Sequence, residues 1–201
     1  MRMEQVVGRV RRRFRVQTTD SDHPHPIAPN HLAEMAPPSR PDQVWVTDIT
    51  YVQIASARWV YLAAVMDLFS RRIVGWATSL SLETSLVLRA LGTALARRRP
   101  RPGLIVHSDR GVQFASQPFR DLLTKHGLIA SMSRRANCYD NAAMESFWST
   151  LKIERLHRRP PASPADVHHA AFEYIDGFYN TRRQHSSLGY ISPLDFEARN
   201  N

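Results

Sequence analysis

Residues 44–52, "VWVTDITYV", alternate β-branched and aromatic side chains with polar ones, the pattern of a strand. A carboxylate, Asp48, stands in the middle of that run. An unpaired carboxylate in a core strand is costly unless a cation or a hydrogen-bond donor compensates it. The fold must therefore either turn Asp48 toward solvent or build something around it.

The patterning that follows sets a fold class. "WVYLAAVMD" reads as a second, mostly buried strand and "RRIVGWAT" as a third, with "DLFSRR" a tight hairpin connection between them. Ser81 offers an N-cap. Leu88, Leu91, Gly92 and Leu95 then mark an amphipathic helix to about Arg98, ended by "RPRPG". "LIVHSD" predicts a fourth strand, parallel to a neighbour after the helical crossover. A second helix over Pro118–His126 is closed by Gly127, and "LIASM" is a fifth strand. A polar loop with Asp140 or Asn141 as cap precedes a third helix to about His157, striped by Met144, Phe147, Trp148 and Leu151. Pro164 starts a last helix with Val167, Ala170, Ala171, Tyr174, Ile175 and Phe178 on one face, and the remaining tail reads as irregular. The expectation is an α/β fold.

Residues 1–42 differ in kind. Six arginines within Met1–Arg15 suggest a short basic helix, and "DSDHPHPIAPN" and "APPSRPD" suggest an extended proline-rich arm. The organisation expected is a basic segment and linker over 1–42, a catalytic core over 43–160 and a C-terminal helix and tail over 161–201. The net charge of +9 points to a polyanionic partner, first of all nucleic acid. Its make-up, 25 Arg against only Lys125 and Lys152, also carries the mark of an Arg-favouring codon bias. A single cysteine, Cys138, excludes a disulfide scaffold within one chain and fits a reducing compartment. No apolar run reaches the length of a membrane span, and no apolar segment follows the basic N-terminus as in a signal peptide; a cytoplasmic protein is expected.

Three acids stand out by position. Asp48 is mid-strand, Asp109 lies just past the fourth strand, where sites of parallel sheets gather, and Glu145 lies in the first turns of the third helix. Each has a plainer explanation: an outward strand position, a turn residue, a partner for the helix dipole. Together, in a basic chain with this order of elements, they suit an oxygen-only site for Mg²⁺ or Mn²⁺.

"WVTDITYV", "HSDRGVQFAS" and "SMSRRANCYDNAAMESFWSTLKIE" resemble the integrase-core DDE transposases of bacterial insertion sequences, and "YIDGFYNTRRQHSSLGYISPLDFE" resembles the C-terminal signature of the group typified by insertion sequence three. The likeness runs from about Pro29 to the end and spaces the acids with 60 and 35 intervening residues. It implies a ribonuclease H-like mixed five-stranded sheet flanked by helices, two divalent ions, and DNA cleavage with joining of 3′-OH ends. Asp48, Asp109 and Glu145 take the catalytic, metal-holding places. Lys152, Arg134, Arg135 and Arg155 are the candidate DNA contacts. Partners implied are transposon ends and target DNA, a homo-oligomer on DNA, and a partner protein or fused segment for end recognition. The chain departs from the family in Ala136, where a glycine is usual before "NC", and in its short upstream region. The competing readings are a non-catalytic, truncated DNA-binding fragment acting as a regulator, and a structure-specific nuclease of the same fold.

Overall fold

A five-stranded mixed sheet in the order β3-β2-β1-β4-β5 organises the molecule. The computed structural model describes residues 23–56, 58–133 and 142–200. β1 (Val44–Gln53), β2 (Trp59–Asp67) and β3 (Ile73–Ser79) form an antiparallel meander, as their alternation and the short connection dictate. β4 (Ile105–Ser108) and β5 (Ile129–Met132) then add in parallel on the other side of β1.

Helices cover both faces. On one, α1 (Thr84–Arg98) lays Leu86, Val87, Ala90, Leu91, Ala94 and Leu95 onto the sheet. The short α2 (Val112–Ala115) and α3 (Gln117–Lys125) complete that layer through Phe114, Phe119 and Leu123, which pack with Trp45 and Ile49 of β1. On the other, α4 (Ala142–Leu151) and α5 (Pro164–Tyr174) bury Met144, Phe147, Trp148, Val167 and Ala171 against Val46 and Val52. The central strand is thus covered on both sides. Gly75 lets α1 approach β3: a Cβ there would stand 2.3 Å from the Ala90 carbonyl oxygen and 2.6 Å from the Ala94 nitrogen.

Several expectations are corrected. α1 starts at Thr84 with Glu83 at the N-cap, while Ser81 turns back to Ser79 through its amide. The third helix does not run as α to His157; it passes at Lys152–Leu156 into a π-helical turn. A second such turn, Ile175–Tyr179, follows α5. Its wider winding shifts the register, so Tyr179 is buried and Phe178 exposed, the reverse of the expected stripe. The tail is ordered: a 3₁₀ turn spans Ser186–Leu188, and α6 (Pro193–Arg199) is capped by Ser192. The basic helix expected over 1–15, the Asp140 or Asn141 cap and Cys138 lie outside the described residues. Among the described helices none is long and apolar enough to cross a membrane.

The tail and the arm are tied down by polar bonds. Asn180 bridges the first residue of β3, donating to the Ile73 carbonyl and accepting from its amide, both at 2.9 Å. Glu197 of α6 is buried and receives Arg72 at 2.7 Å, Arg98 at 2.8 Å and the Ser70 hydroxyl at 2.7 Å. Burial pushes its carboxyl up, but these donors more than offset it and hold it below the ordinary carboxylate range. Asp67 is the hairpin corner expected of it: it accepts from the Asp42, Phe69 and Ser70 amides, and burial still pushes it up to about 6. The arm runs beside β5, where the Met132 amide donates to Pro29.

Gly75→Ala should cost at least about 3 kcal/mol, because the clash is with helix backbone that has no rotamer to give. Thermal unfolding of the two proteins checks this; an unchanged melting temperature would mean that α1 can lift from β3 freely.

Candidate active site

The site is built by two strands that part. Parallel pairing between β1 and β4 runs Val44–Ile105, Trp45–Val106 and Val46–His107. Asp48 and Asp109 each lie two residues beyond the last of these pairs, so the same register sets the two carboxylates side by side at the mouth of the opening crevice. β1 brings Asp48 there because alternation puts it on the Val46 and Val52 face, beneath α4. The outward-facing alternative is thereby removed. Asp48 is half-buried and its Oδ2 accepts the Trp148 indole N–H at 3.0 Å.

Asp109 is set by the turn that follows β4. The Gly111 amide donates to its Oδ1 at 2.8 Å, and a Cβ on Gly111 would come within 2.9 Å of that oxygen. Glycine is required by this close approach, not by an unusual φ. Arg110 turns away and donates to the Ser133 carbonyl, while His23 of the arm meets the Arg110 carbonyl at 2.8 Å.

Glu145 lies in the first turn of α4 and is exposed. Its charge still reaches Asp48. Burial, then the Asp109 carboxylate, push the Asp48 carboxyl up to about 7; bonds from the Ile49 amide and the Trp148 indole oppose this, and Glu145 adds to it. The three predicted acids therefore share one electrostatic neighbourhood. Among the described residues, however, no group of three His, Cys, Asp or Glu side chains stands close enough to hold an ion.

Lys152, two turns after Glu145, is half-buried with its ammonium 5.0 Å from the Tyr51 ring centroid. Burial lowers its pKa, and the Asp48 charge opposes that. Arg155 is spent differently from expectation: it pairs with Glu173 of α5 at 2.7 Å. Arg134 and Arg135 lie outside the described residues. His107 is fully buried at the end of β4, with Nδ1 at 2.9 Å from the Ser131 hydroxyl.

Two residues that hold the candidate carboxylates escaped sequence reasoning. Trp148 reads only as part of the apolar stripe, yet a buried indole N–H needs a partner, and three residues from an acid that partner can be another acid. Gly111 follows Asp109 by two, the spacing at which an aspartate accepts a backbone amide in a turn.

The integrase core domain family matches residues 38–138, and a second integrase core domain family matches 126–193. A protein of insertion element IS600 from Shigella sonnei is 44% identical over 189 residues, 94% of this chain and 69% of that protein. The transposase of insertion sequence element IS904 from Lactococcus lactis is 41% identical, over 86% of this chain and 68% of its own length. The transposase InsF of insertion sequence IS3A from Escherichia coli is 40% identical, over 89% and 62% respectively. The chain thus spans about two thirds of the length of these relatives. Among solved structures, the simian T-cell lymphotropic virus intasome in complex with PP2A regulatory subunit B56 gamma superposes with a TM-score of 0.67 at 16% identity, over 88% of this chain and 61% of that one. The HTLV-2 integrase catalytic core domain in complex with magnesium gives 0.60 at 15%, over 79% and 97%. At these identities the likeness is one of fold.

The raised Asp48 pKa has a stability consequence. A folded-state value above the ordinary 3.8 means that the metal-free protein loses stability from this group as pH rises from about 4 to about 7, and the loss is complete above that. Asp48→Asn removes the loss and keeps an oxygen for Trp148. Its melting temperature should exceed that of the metal-free wild type at pH 8 and approach it at pH 5. An equal difference at both pH values would assign the effect to packing.

Proposed function

We propose, because the chain belongs to the integrase core domain family and to its insertion-sequence transposases, that it cleaves DNA phosphodiesters and joins the freed 3′-OH ends to target DNA in a metal-dependent reaction. The observation that carries this reading is the β1–β4 register, which sets Asp48 and Asp109 at equivalent positions where the two strands part, within reach of the Glu145 charge. A basic protein that assembles mutually repelling carboxylates has arranged a place for cations, and its hard oxygen donors suit Mg²⁺ or Mn²⁺.

Asp48, Asp109 and Glu145 are the residues that would hold two ions. Bound there, the metal would polarise the phosphodiester and make an oxygen nucleophile available near neutral pH. Asp48 would be the least mobile of the three, since the Trp148 indole and the helices covering both faces of β1 hold it. Asp109 is fixed by the Gly111 amide. Glu145 is carried by the end of a helix and is free to turn toward the other two once the repulsion is neutralised. Lys152 stands near enough to Asp48 to take a phosphate oxygen beside the scissile bond. Arg155, tied to Glu173, supports the helix it sits on more than it serves DNA, and Arg134 and Arg135 remain candidate contacts. No serine, tyrosine or cysteine is required as a covalent nucleophile. Transposon ends and target DNA are the partners, with homo-oligomerisation on DNA and a partner or fused segment for end recognition.

Strand cleavage and strand transfer of a labelled transposon end, with Mg²⁺ or Mn²⁺, test the reading. Asp48→Asn, Asp109→Asn and Glu145→Gln should each lower the rate at least about a thousandfold, and chelation should abolish it. Lys152→Ala should weaken DNA binding and flatten its salt dependence, because one phosphate contact fewer releases fewer counterions. Binding without any cleavage by the wild type would favour a non-catalytic regulator, and cleavage that survives Asp48→Asn would overturn the site.

A further inference from the structure

α4 separates two concavities. Glu145 and Lys152 face the carboxylate crevice. Rotated about the same helix, Ala142, Ser146 and Thr150 line a second groove of about 780 Å³, within the size range of ligand-holding clefts. An α-helix is about 10 Å across, so a strand leaving Asp48 reaches this groove by crossing one exposed helical crest.

The chemistry of the groove is mixed in a particular way. Phe69 and Phe196 line it as a half-buried pair, ring centroids 5.1 Å apart. Arg71 and Arg183 line it too, and none of its described lining residues is acidic. Arg183 spends its Nε and one Nη on Glu154. Arg71 makes no hydrogen bond or ion pair among the described residues, although it is half-buried. Its backbone sits at φ 62°, a conformation that glycine or asparagine holds more easily. An uncommitted cation is thus presented where the backbone would favour another residue.

We propose that this groove is a subsite for unpaired DNA, taking nucleotides that flank the scissile phosphate on one strand, with a phosphate on Arg71 and a base against the Phe69–Phe196 pair. Duplex DNA offers phosphates outward and keeps its base faces stacked, so it has no use for an apolar ring wall beside a cation. A single strand uses both, and aromatic platforms flanked by positive charge are how such strands are held. The subsite rests on the DNA-cleaving function proposed above and adds to it a preference for opened DNA beside the cut.

Fluorescence anisotropy of the full chain tests this with three probes built on one duplex: blunt, with a short 5′ single-stranded extension, and with a short 3′ extension. The wild type should bind one extended probe about tenfold more tightly than the blunt one. Arg71→Asn, which suits the left-handed backbone, and Phe196→Leu should each bring that ratio close to one. If Phe196→Leu shows a lowered melting temperature, Arg71→Asn alone decides. A wild type without preference, or a preference that survives Arg71→Asn, overturns the subsite. So does a DNA-free dimer that Arg71→Asn turns into monomer in sedimentation, since the groove would then belong to a second copy. Failure of the cleavage reading is told apart by the wild type itself, which would then not cut DNA with Mg²⁺ whatever the probe affinities.

Discussion

Placing a carboxylate in a strand with both faces covered is the constraint from which the rest of the molecule follows. Asp48 cannot reach bulk water by alternation, because α1 and α3 cover one side of β1 and α4 and α5 the other. Four things accommodate it: the parting of β1 from β4 after Val46 and His107, a bond from the Ile49 amide, a hydrogen bond from Trp148, and proximity to a lysine. The first two are backbone architecture. The other two come from α4 and the turn that continues it, so the helix that delivers Glu145 also helps make Asp48 tolerable. Folding of the core and assembly of the site are one event at this point.

The C-terminal segment acts as a brace for that helix and for the sheet. Glu154, in the turn that continues α4, is held below the ordinary carboxylate range chiefly by Arg183, and the Tyr174 hydroxyl donates to it at 2.6 Å. Glu197 joins the β2–β3 connection to the end of α1 through Arg72 and Arg98. A buried carboxylate between two guanidinium groups is weak evidence of net stability. Its removal would nonetheless leave Arg72 without its carboxylate and the mostly buried Arg98 with Asp42 alone, and that makes it an effective fastener. The tail motif is thus absorbed by structure at Asn180 and Arg183, while Arg71 makes no hydrogen bond or ion pair among the described residues.

Much of this was legible in the residues. Runs of β-branched, aromatic and apolar residues bounded by turn signals placed all five strands, and Asp48 declared itself as a charge inside such a run. The two other acids needed spacing and resemblance as well, for each has a commonplace explanation in isolation. What sequence did not reveal was local geometry without a periodic signature. The π-helical turns leave no mark in composition, so Phe178 was expected in the core that Tyr179 occupies. The tail hid α6 because a helix of seven residues offers two turns of pattern at most. Ser81 was a plausible cap, but the chain used the Ser81 amide to close a turn on Ser79 instead. The Trp148–Asp48 bond joins residues 100 apart, a distance over which no local rule speaks.

The two π-helical turns bear on how such a chain can change over generations. Each is one residue wider than the α-helix it extends, so each behaves as a tolerated insertion. Were Lys152–Leu156 wound as ordinary α-helix at the same length, everything beyond it would be rotated by about 100° relative to α4. Glu154 would leave Arg183 and Tyr174, although every residue was unchanged. The same holds for Ile175–Tyr179, where Tyr179 and then Asn180 would swing away from the sheet. A residue gained or lost in these stretches is taken up by the winding before it reaches the brace. In these two places spelling is inherited more strictly than length.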